Sequence, residues 1–160
     1  MGRATRFGLT SGILVCSVAA FAWQGRAIPF PKDYRKWAHV KSTLVGPQSK
    51  GFAMNGGYHH FYANEQAFEG YRTGTFPDGA VLIDDGLEAT EHAGVTSEGP
   101  RTRVAVMVKD SGRFRESGGW GFEVFPRDTR EGVLTAEGRA SCLSCHQKAE
   151  RDSVYSRWRE

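Results

Sequence analysis

The segment Cys142-Leu143-Ser144-Cys145-His146 constrains this 160-residue chain more than any other stretch. Two cysteines are separated by two residues, and a histidine directly follows the second cysteine. On a helix, this spacing brings both thiols close together on one turn, with the imidazole next to them. The segment therefore predicts a site at which two sulfur atoms and one ring nitrogen act together.

The Cys-x-x-Cys-His pattern is the attachment signature of c-type haem. Each thiol adds across one vinyl group of the porphyrin, and the histidine supplies the proximal nitrogen ligand of the iron. In bacteria, this haem is attached outside the cytoplasm. We therefore predict one covalently attached haem c, with the porphyrin bonded to Cys142 and Cys145 and the iron bonded to His146.

Three other chemistries compete for the same motif. A thioredoxin-like redox pair follows a strand and opens a helix, whereas no strand is expected after this motif. A disulfide between cysteines this close together closes a very small loop and stabilises little. A zinc site requires four ligands. The residues available to complete one are carboxylates and the histidines His39, His59, His60 and His92.

The N-terminus has the layout of a secretory signal peptide. Arg3 and Arg6 precede a mostly apolar stretch at residues 7–23, and small residues stand at cleavage-site spacing in Ala20-Phe21-Ala22. An uncleaved membrane anchor is the alternative, although the stretch is short for a span. Cys16 lies inside this stretch and is not preceded by the small residue that a lipoprotein signal prefers.

This segment sets the expected domain organisation: a signal peptide, a linker and one haem domain, at residues 1–22, 23–30 and 31–160. Cleavage would leave an exported, periplasmic protein whose two cysteines both belong to the haem motif. A single globular domain agrees with the composition, since 39% of the residues are apolar and 24% are charged. The net charge of +3 is dispersed, so no nucleic-acid partner is expected. A membrane partner is expected only if the N-terminal segment stays uncleaved.

The order of apolar and turn residues predicts an α+β fold, mainly an antiparallel β-sheet with flanking helices and a C-terminal helix that carries the haem motif. Four strands are expected, at residues 58–63, 80–84, 101–109 and 120–125. The third of these is expected to be central, because both of its faces are apolar. Three helices are expected, at residues 32–39, at 65–72 after an Asn64 cap, and from a Thr135 cap through the cysteines toward Trp158. Loops are expected at residues 46–57 and 90–100.

Six short motifs follow one another at a specific spacing, although each alone is weak. They are Pro31-Lys32-Asp33-Tyr34-Arg35-Lys36-Trp37, His59-His60-Phe61-Tyr62-Ala63-Asn64, Phe76-Pro77-Asp78-Gly79, Val108-Lys109-Asp110 with Arg113-Phe114, Gly119-Trp120-Gly121-Phe122, and Cys142 to His146. In these motifs the chain resembles the cytochrome P-460 family, which also contains the cytochromes c′-beta. The resemblance covers about residues 31–150.

The resemblance implies a mainly antiparallel β fold, a homodimer and one five-coordinate c-type haem whose proximal ligand is His146. Members that oxidise hydroxylamine carry a lysine cross-linked to the porphyrin, at the position of Asp84 here, and a glutamate near the position of Ala105. No lysine occurs between Lys50 and Lys109. These departures make the chain more similar to the cytochromes c′-beta. Those proteins lack the lysine, have an apolar and aromatic distal face, and bind nitric oxide or carbon monoxide.

Three further residues are candidates for contact with the haem. Phe61 shares a strand face with His59 and is the first choice for an aromatic cap over the iron, with core packing as the alternative. Trp120 suits either a porphyrin wall or the core. Asp84 either faces the iron or ends its strand in water together with Asp85. If it faces the iron, desolvation raises its pKa, and it serves as a distal acid and base in peroxide cleavage.

These observations leave three functions open. The preferred one is an exported mono-haem c-type cytochrome whose iron binds nitric oxide, carbon monoxide or a similar ligand. The enzyme alternative is a haem oxidoreductase that oxidises hydroxylamine or acts as a peroxidase. The third is an electron carrier, which requires a strong sixth ligand. Met54 and Met107 are expected to serve packing instead, and at most one of His59 and His60 can approach the haem, because they face opposite sides of a strand.

Overall fold

The computed structural model describes residues 27–159, and its centre is one five-stranded antiparallel sheet. Each strand pairs with the next one along the chain. The strands are β1 (Ala38–Val45), β2 (Gly57–Ala63), β3 (Val81–His92), β4 (Val95–Lys109) and β5 (Trp120–Pro126). The helices are α1 (Phe52–Asn55), α2 (Glu65–Thr73) and α3 (Ala136–His146). The predicted α+β fold, with its C-terminal helix, is confirmed.

Two predicted helix starts are confirmed by their caps. The Asn64 side chain accepts a hydrogen bond from the Ala67 backbone N–H at 3.1 Å, and the Thr135 hydroxyl accepts one from the Gly138 N–H at 3.2 Å. Each bond satisfies an N–H group that has no partner inside its own helix. The cap at Thr135 fixes where α3 begins, and so fixes the position of the cysteine motif that follows.

The prediction for the region before β2 was wrong in part. Residues 32–39 contain only a short 3-10 turn at Tyr34–Lys36, and strand β1 was not predicted at all. Strand β1 lies at the sheet edge and is mostly exposed, so its sequence lacks the apolar alternation that marks a buried strand. The short helix α1 lies inside the expected loop at residues 46–57.

The expected polar loop at residues 90–100 is instead the end of a long hairpin. Strands β3 and β4 continue pairing as far as His92 and Val95, and the turn between them places Ala93 and Gly94 at φ 52° and 79°. Two positive φ angles match the turn that joins twisted antiparallel strands. The arm is exposed on both faces, which explains its loop-like polarity. Strand β4 lies next to edge strand β5, so it is an inner strand while β3 is the central one.

The last predicted helix is shorter than expected, since α3 ends at His146. A single bridge between Arg151 and Val154 closes a tight turn beyond it, with Asp152 and Ser153 at φ 44° and 64°. Positive φ angles are incompatible with a continuing right-handed helix. The chain therefore folds back toward His146 and does not extend as a helix to Trp158.

The signal peptide and Cys16 lie outside the described residues. Of the expected linker, residues 27–30 are described and form no helix or strand. They are nevertheless packed, because Ile28 is buried and the Phe30 ring meets the Phe125 ring at a centroid distance of 5.2 Å. Within residues 27–159, no helix has the length and apolar character needed to cross a membrane.

The two faces of the sheet carry separate cores. One core includes Met107, Trp120 and Phe122, and α3 packs against it through Cys142 and Leu143. The other core is covered by the N-terminal segment, and its buried members are Ile28, Tyr34, Ile83, Val104, Val106 and Phe125. The face that meets α3 is therefore the one available to a group attached to that helix.

Asp85 anchors the N-terminal segment over the second core. Its side chain is fully buried and accepts hydrogen bonds from Tyr34 at 2.7 Å, from Arg35 at 2.8 Å and from Arg101 at 2.7 Å. Burial by itself raises the pKa of Asp85, but the hydrogen bonds from Arg101, Tyr34 and Arg35 outweigh it and lower the pKa below its ordinary value. Burial, followed by the bond to Asp85, raises the pKa of Tyr34 to about 12. The alternative in which Asp84 and Asp85 end the strand in water is wrong for Asp85.

We expect Asp85→Asn to lower the free energy of unfolding by about 3 kcal/mol, because it leaves two arginines without their buried partner. The wild-type contribution is present above the ordinary aspartate pKa and is lost as the pH falls through the lowered folded value. The matched control is Asp128→Asn, which removes the exposed second partner of Arg101 and should cost less than about 0.5 kcal/mol. Urea unfolding measures both variants, and equal losses would contradict the anchoring role.

Candidate functional site

The face of the sheet that meets α3 carries a buried row of side chains beside a half-exposed row. Ala63, Leu82, Met107 and Phe122 are successive partners across β2 to β5, and all four are buried. Residues that are two positions apart on a strand project from the same face of the sheet. The residues two positions from the buried row are also successive partners and are only partly buried: Phe61, Asp84, Ala105 and Val124. We call these four residues the open row.

Asp84 and Ala105, the two positions that the resemblance singles out, are direct partners in the open row. Phe61 is the partner of Asp84 on its other side. In an antiparallel pair, such partners project from the same face of the sheet. The three residues singled out from the sequence therefore lie side by side on the face that meets α3.

Helix α3 presents the two thiols differently. Cys142 is half-buried and packs against the core that includes Phe122, whereas Cys145 is exposed. Burial raises the pKa of the Cys142 thiol. The two cysteines are not joined in a disulfide. Both sulfur atoms are therefore available for bonds to another group, as thioether attachment requires.

His146 is the last residue of α3, and its ring is held by the chain that folds back after the helix. Its Nδ1 atom lies 2.9 Å from the Ser153 carbonyl oxygen. A carbonyl oxygen only accepts, so Nδ1 carries the proton and donates. In a neutral imidazole, Nε2 then has the free lone pair. A histidine that ligates a metal typically donates its other ring N–H in this way.

Two aromatic rings flank the His146 imidazole. The Phe122 ring centroid is 5.3 Å away and the Tyr155 ring centroid 5.6 Å away. The Tyr155 hydroxyl donates a hydrogen bond to the Cys145 carbonyl oxygen at 2.8 Å, which ties the folded-back segment to the end of α3. These contacts and the Ser153 carbonyl together limit rotation of the imidazole.

The residues present fit a c-type haem. Two unpaired thiols three positions apart precede an imidazole whose Nε2 lone pair is free, which is the donor set that such a haem uses. A zinc site is not supported in the same part of the molecule. Among residues 27–159, no group of three or more His, Cys, Asp or Glu side chains is arranged to hold a metal ion.

Asp84 also belongs to a polar cluster next to the open row. The cluster consists of Asn55, His59, Asp84 and Arg103, and we call it the His59 cluster. The His59 ring is buried, and its Nδ1 donates to Asp84 at 2.8 Å while its Nε2 donates to the Asn55 carbonyl at 2.9 Å. Arg103 donates to the Asn55 side chain at 2.8 Å and lies 3.6 Å from Asp84. Both ring nitrogens of His59 face oxygen atoms, and the doubly protonated ring is the form that donates to both.

The local backbone explains how Asn55 reaches His59. Gly57 follows α1 at φ 108°, and a Cβ atom there would collide with the Leu87 carbonyl oxygen. Only glycine combines this backbone conformation with so close an approach to β3. The end of α1 is thus drawn in against the sheet, beside His59.

The ionisation of His59 follows from its partners. The hydrogen bond to Asp84 raises the pKa of His59; burial opposes this effect, and the Asn55 carbonyl adds to it. The hypothesis of an Asp84 carboxyl buried beside an apolar porphyrin did not include His59 and Arg103 as its neighbours. Neither residue is recognisable from the sequence as a partner, because the register between strands brings them together.

The other predicted contacts are placed as follows. Phe61 lies in the open row, stacked on His59 at a centroid distance of 6.3 Å, with the Lys41 ammonium 5.8 Å from its ring centre. Trp120 is 1% exposed, and its indole N–H donates to the Asp152 carbonyl at 2.8 Å. This packing suits the core alternative, and a porphyrin wall at Trp120 stays a prediction. Ser153 and Tyr155 were missed, because the sequence predicted helix there.

Two cavities border this site, one next to Trp120, Phe122 and Leu143 and the other next to Arg103. One of about 310 Å³ is lined by residues that include Phe114 and Arg139, and the other, of about 400 Å³, by residues that include Met54 and Arg103. Neither is lined by the cysteines or the histidine of the motif. The chemistry of the donor atoms therefore identifies the candidate site.

In a comparison with protein families, the model of the family described as cytochrome P460 matches residues 31–156. The matched region contains all five strands, α3 and the complete cysteine motif. No curated protein matches the chain.

We expect Asp84→Asn to lower the pKa of His59, measured by NMR titration of its ring. The raised pKa of His59 also makes the free energy of unfolding depend on pH. Because the folded pKa lies above the ordinary value of 6.5, the stabilisation from the His59–Asp84 pair is complete below that value. It is lost as the pH rises through the folded pKa. Glu98→Gln is the matched control, since Glu98 lies 2.8 Å from His60 instead. An unchanged His59 titration in Asp84→Asn would contradict the pairing.

Proposed function

Because the chain belongs to the cytochrome P-460 family, we propose that it is an exported mono-haem c-type cytochrome with a five-coordinate iron that binds nitric oxide, carbon monoxide or a similarly small ligand. Membership of the family identifies a haem cytochrome. The covalent attachment, the open iron position and the gas ligand are the proposal. Two features of the site support it. The Nδ1 atom of His146 is hydrogen-bonded to the Ser153 carbonyl, and the open row offers the iron no strong ligand.

On the proximal side, Cys142 and Cys145 would hold the porphyrin and His146 would bind the iron through Nε2. The Ser153 carbonyl supports this role, because it fixes the tautomer that leaves Nε2 unprotonated. A five-coordinate haem iron supplies one open coordination position for a small ligand. The other side chains of the proposed site would orient the haem, exclude water or hold a proton.

On the distal side, three of the four open-row residues have no ligand atom: Phe61, Ala105 and Val124. The two methionines of the described chain are placed elsewhere, since Met107 is buried in the adjacent row and Met54 is 80% exposed on α1. His59 has both ring nitrogens engaged in hydrogen bonds. A distal row that offers no strong sixth ligand favours gas binding over electron transfer, and we propose Phe61 as its aromatic cap.

The similarity to the cytochromes c′-beta, the homodimer and the periplasmic location belong to the same proposal. The resemblance puts Asp84 at the position of the porphyrin cross-link, and a carboxylate has no amine for that bond. The proposal includes a small gaseous or nitrogenous ligand and a second copy of the chain as partners. We expect no nucleic-acid partner.

Removing both thiols tests the attachment. In the Cys142→Ser/Cys145→Ser double variant, haem should no longer stay with the chain on a denaturing gel, because no thioether bond can form. Ser144→Ala, which alters the same turn of α3 but neither thiol, is the control and should keep its haem stain. Haem retained by the double variant would mean that another side chain is cross-linked to the porphyrin, contrary to the proposal.

A second candidate function, peroxide-dependent oxidation, is favoured by the His59 cluster. Asp84 stands in the open row and holds a proton-bearing imidazolium at 2.8 Å. A carboxylate with such a partner can accept a proton from a reacting oxygen and return it, which is general acid–base catalysis and typically contributes about 10²–10⁴-fold.

The two candidate functions differ in the effect of Asp84→Ala. If peroxide chemistry is the function, this variant should lose about 10²-fold or more of the peroxide-dependent dye oxidation of the haem-loaded protein. Gas affinity should change much less. Glu98→Gln, beside His60 on the other face, is the control. Equal peroxide turnover in wild type and Asp84→Ala would eliminate the second candidate.

A further inference from the structure

Lys109 is a buried lysine whose ammonium group is used entirely inside the protein. Its side chain is 8% exposed, and Nζ lies 2.8 and 2.9 Å from the two carboxylate oxygens of Asp152. It also donates to the Gly118 carbonyl at 3.0 Å and lies 5.0 Å from the centre of the Trp120 ring. A buried cation with these partners is a fixed anchor for the carboxylate, in contrast to a solvated surface charge.

Asp152 is held by two further parts of the chain. The Phe76 backbone N–H donates to its carboxylate at 2.9 Å, and the Trp120 indole N–H donates to its backbone carbonyl at 2.8 Å. The turn before β3, the end of β4 and the start of β5 therefore converge on one residue that follows α3. We call Lys109, Asp152 and the two N–H donors the Asp152 clamp.

The clamped backbone is unusual. Asp152 and Ser153 have φ angles of 44° and 64°, in the left-handed region that residues with a side chain rarely occupy. The turn is closed by a hydrogen bond from Val154 N–H to the Arg151 carbonyl at 2.9 Å. Two consecutive residues of this kind persist only where their surroundings determine the conformation. The Asp152 clamp provides those surroundings.

The strained turn directs the Ser153 carbonyl oxygen at the ring of His146. The Ser153 carbonyl, immediately after Asp152, accepts the hydrogen bond from His146 Nδ1 at 2.9 Å. An acceptor on Nδ1 orients a ligating imidazole and increases the basicity of its other nitrogen. The direction of this carbonyl depends on the turn, and the turn depends on the clamp.

We propose that Asp152, clamped by Lys109, is a positioning residue that holds the Ser153 carbonyl against His146 and thereby sets the strength of the proximal iron ligand. The inference rests on the proposed ligation of the iron by His146. Asp152 acts through Ser153 and does not touch the haem iron. A more basic imidazole stabilises the oxidised iron, so the clamp keeps the reduction potential low and the iron–histidine bond strong.

The test compares Asp152→Ala with wild type, both as haem-loaded protein, by two measurements that do not depend on activity. Resonance Raman spectroscopy of the ferrous form reports the iron–histidine stretching band, and redox titration reports the midpoint potential. We expect the band to shift to lower frequency and the potential to rise. Asp152→Asn keeps the side-chain size and a residue that tolerates positive φ, so it should shift both readouts in the same direction by a smaller amount.

Glu150→Gln is the matched control, because Glu150 is an exposed acid in the same segment, 3.6 Å from Arg157. It should leave both readouts at their wild-type values. If folded Asp152→Asn and Asp152→Ala proteins keep the wild-type band and potential, the positioning role is overturned while the proposed ligation stands. If wild type itself has no iron–histidine band, the proposed five-coordinate iron on His146 is wrong, and this inference, which rests on it, fails as well.

Discussion

The buried carboxylate of Asp85 is the interaction on which the arrangement of the molecule depends. One carboxylate binds Tyr34, Arg35 and Arg101, and so fixes the N-terminal segment over one face of the sheet. Because neighbouring residues of a strand face opposite sides, Asp84 then projects from the other face. Helix α3 packs against that second face, and the haem proposed to be attached to α3 would lie there. The division of the sheet into a structural face and a functional face follows from two adjacent aspartates.

On the functional face, the two sides of the proposed haem site are built by different means. The proximal side is built from local chain: α3 ends at His146, and the following turn returns the Ser153 carbonyl to its ring. The distal side is built from strand register, which aligns Phe61, Asp84 and Ala105 across three strands. The His59 cluster places the His59 ring and the Arg103 guanidinium next to that row. In the proposed site, the proximal elements would hold the iron ligand, and the distal elements would decide which small molecules approach it.

Much of this was predictable from the sequence, for identifiable reasons. The cysteine motif, the Asn64 and Thr135 caps and the inner strands all depend on contacts within a few residues or on burial of both strand faces. Edge strand β1 and the exposed hairpin arm were missed because solvent-exposed strands do not show apolar alternation. The turn at Asp152 and Ser153 was missed because positive φ angles at residues other than glycine leave no compositional signal. The His59 cluster was missed because the register that brings His59 to Asp84 involves residues far apart in the chain.

The most direct test of the central claim is the absorption spectrum of the purified haem-loaded protein, oxidised, reduced with dithionite, and reduced in the presence of nitric oxide or carbon monoxide. An open iron held by His146 predicts a high-spin ferrous form with an ordinary Soret band that shifts when the gas is added. Sharp low-spin bands that do not respond to gas would mean that a sixth ligand occupies the iron, and would contradict the account. A strongly red-shifted ferrous Soret band would contradict it in a different way, by indicating a cross-linked porphyrin.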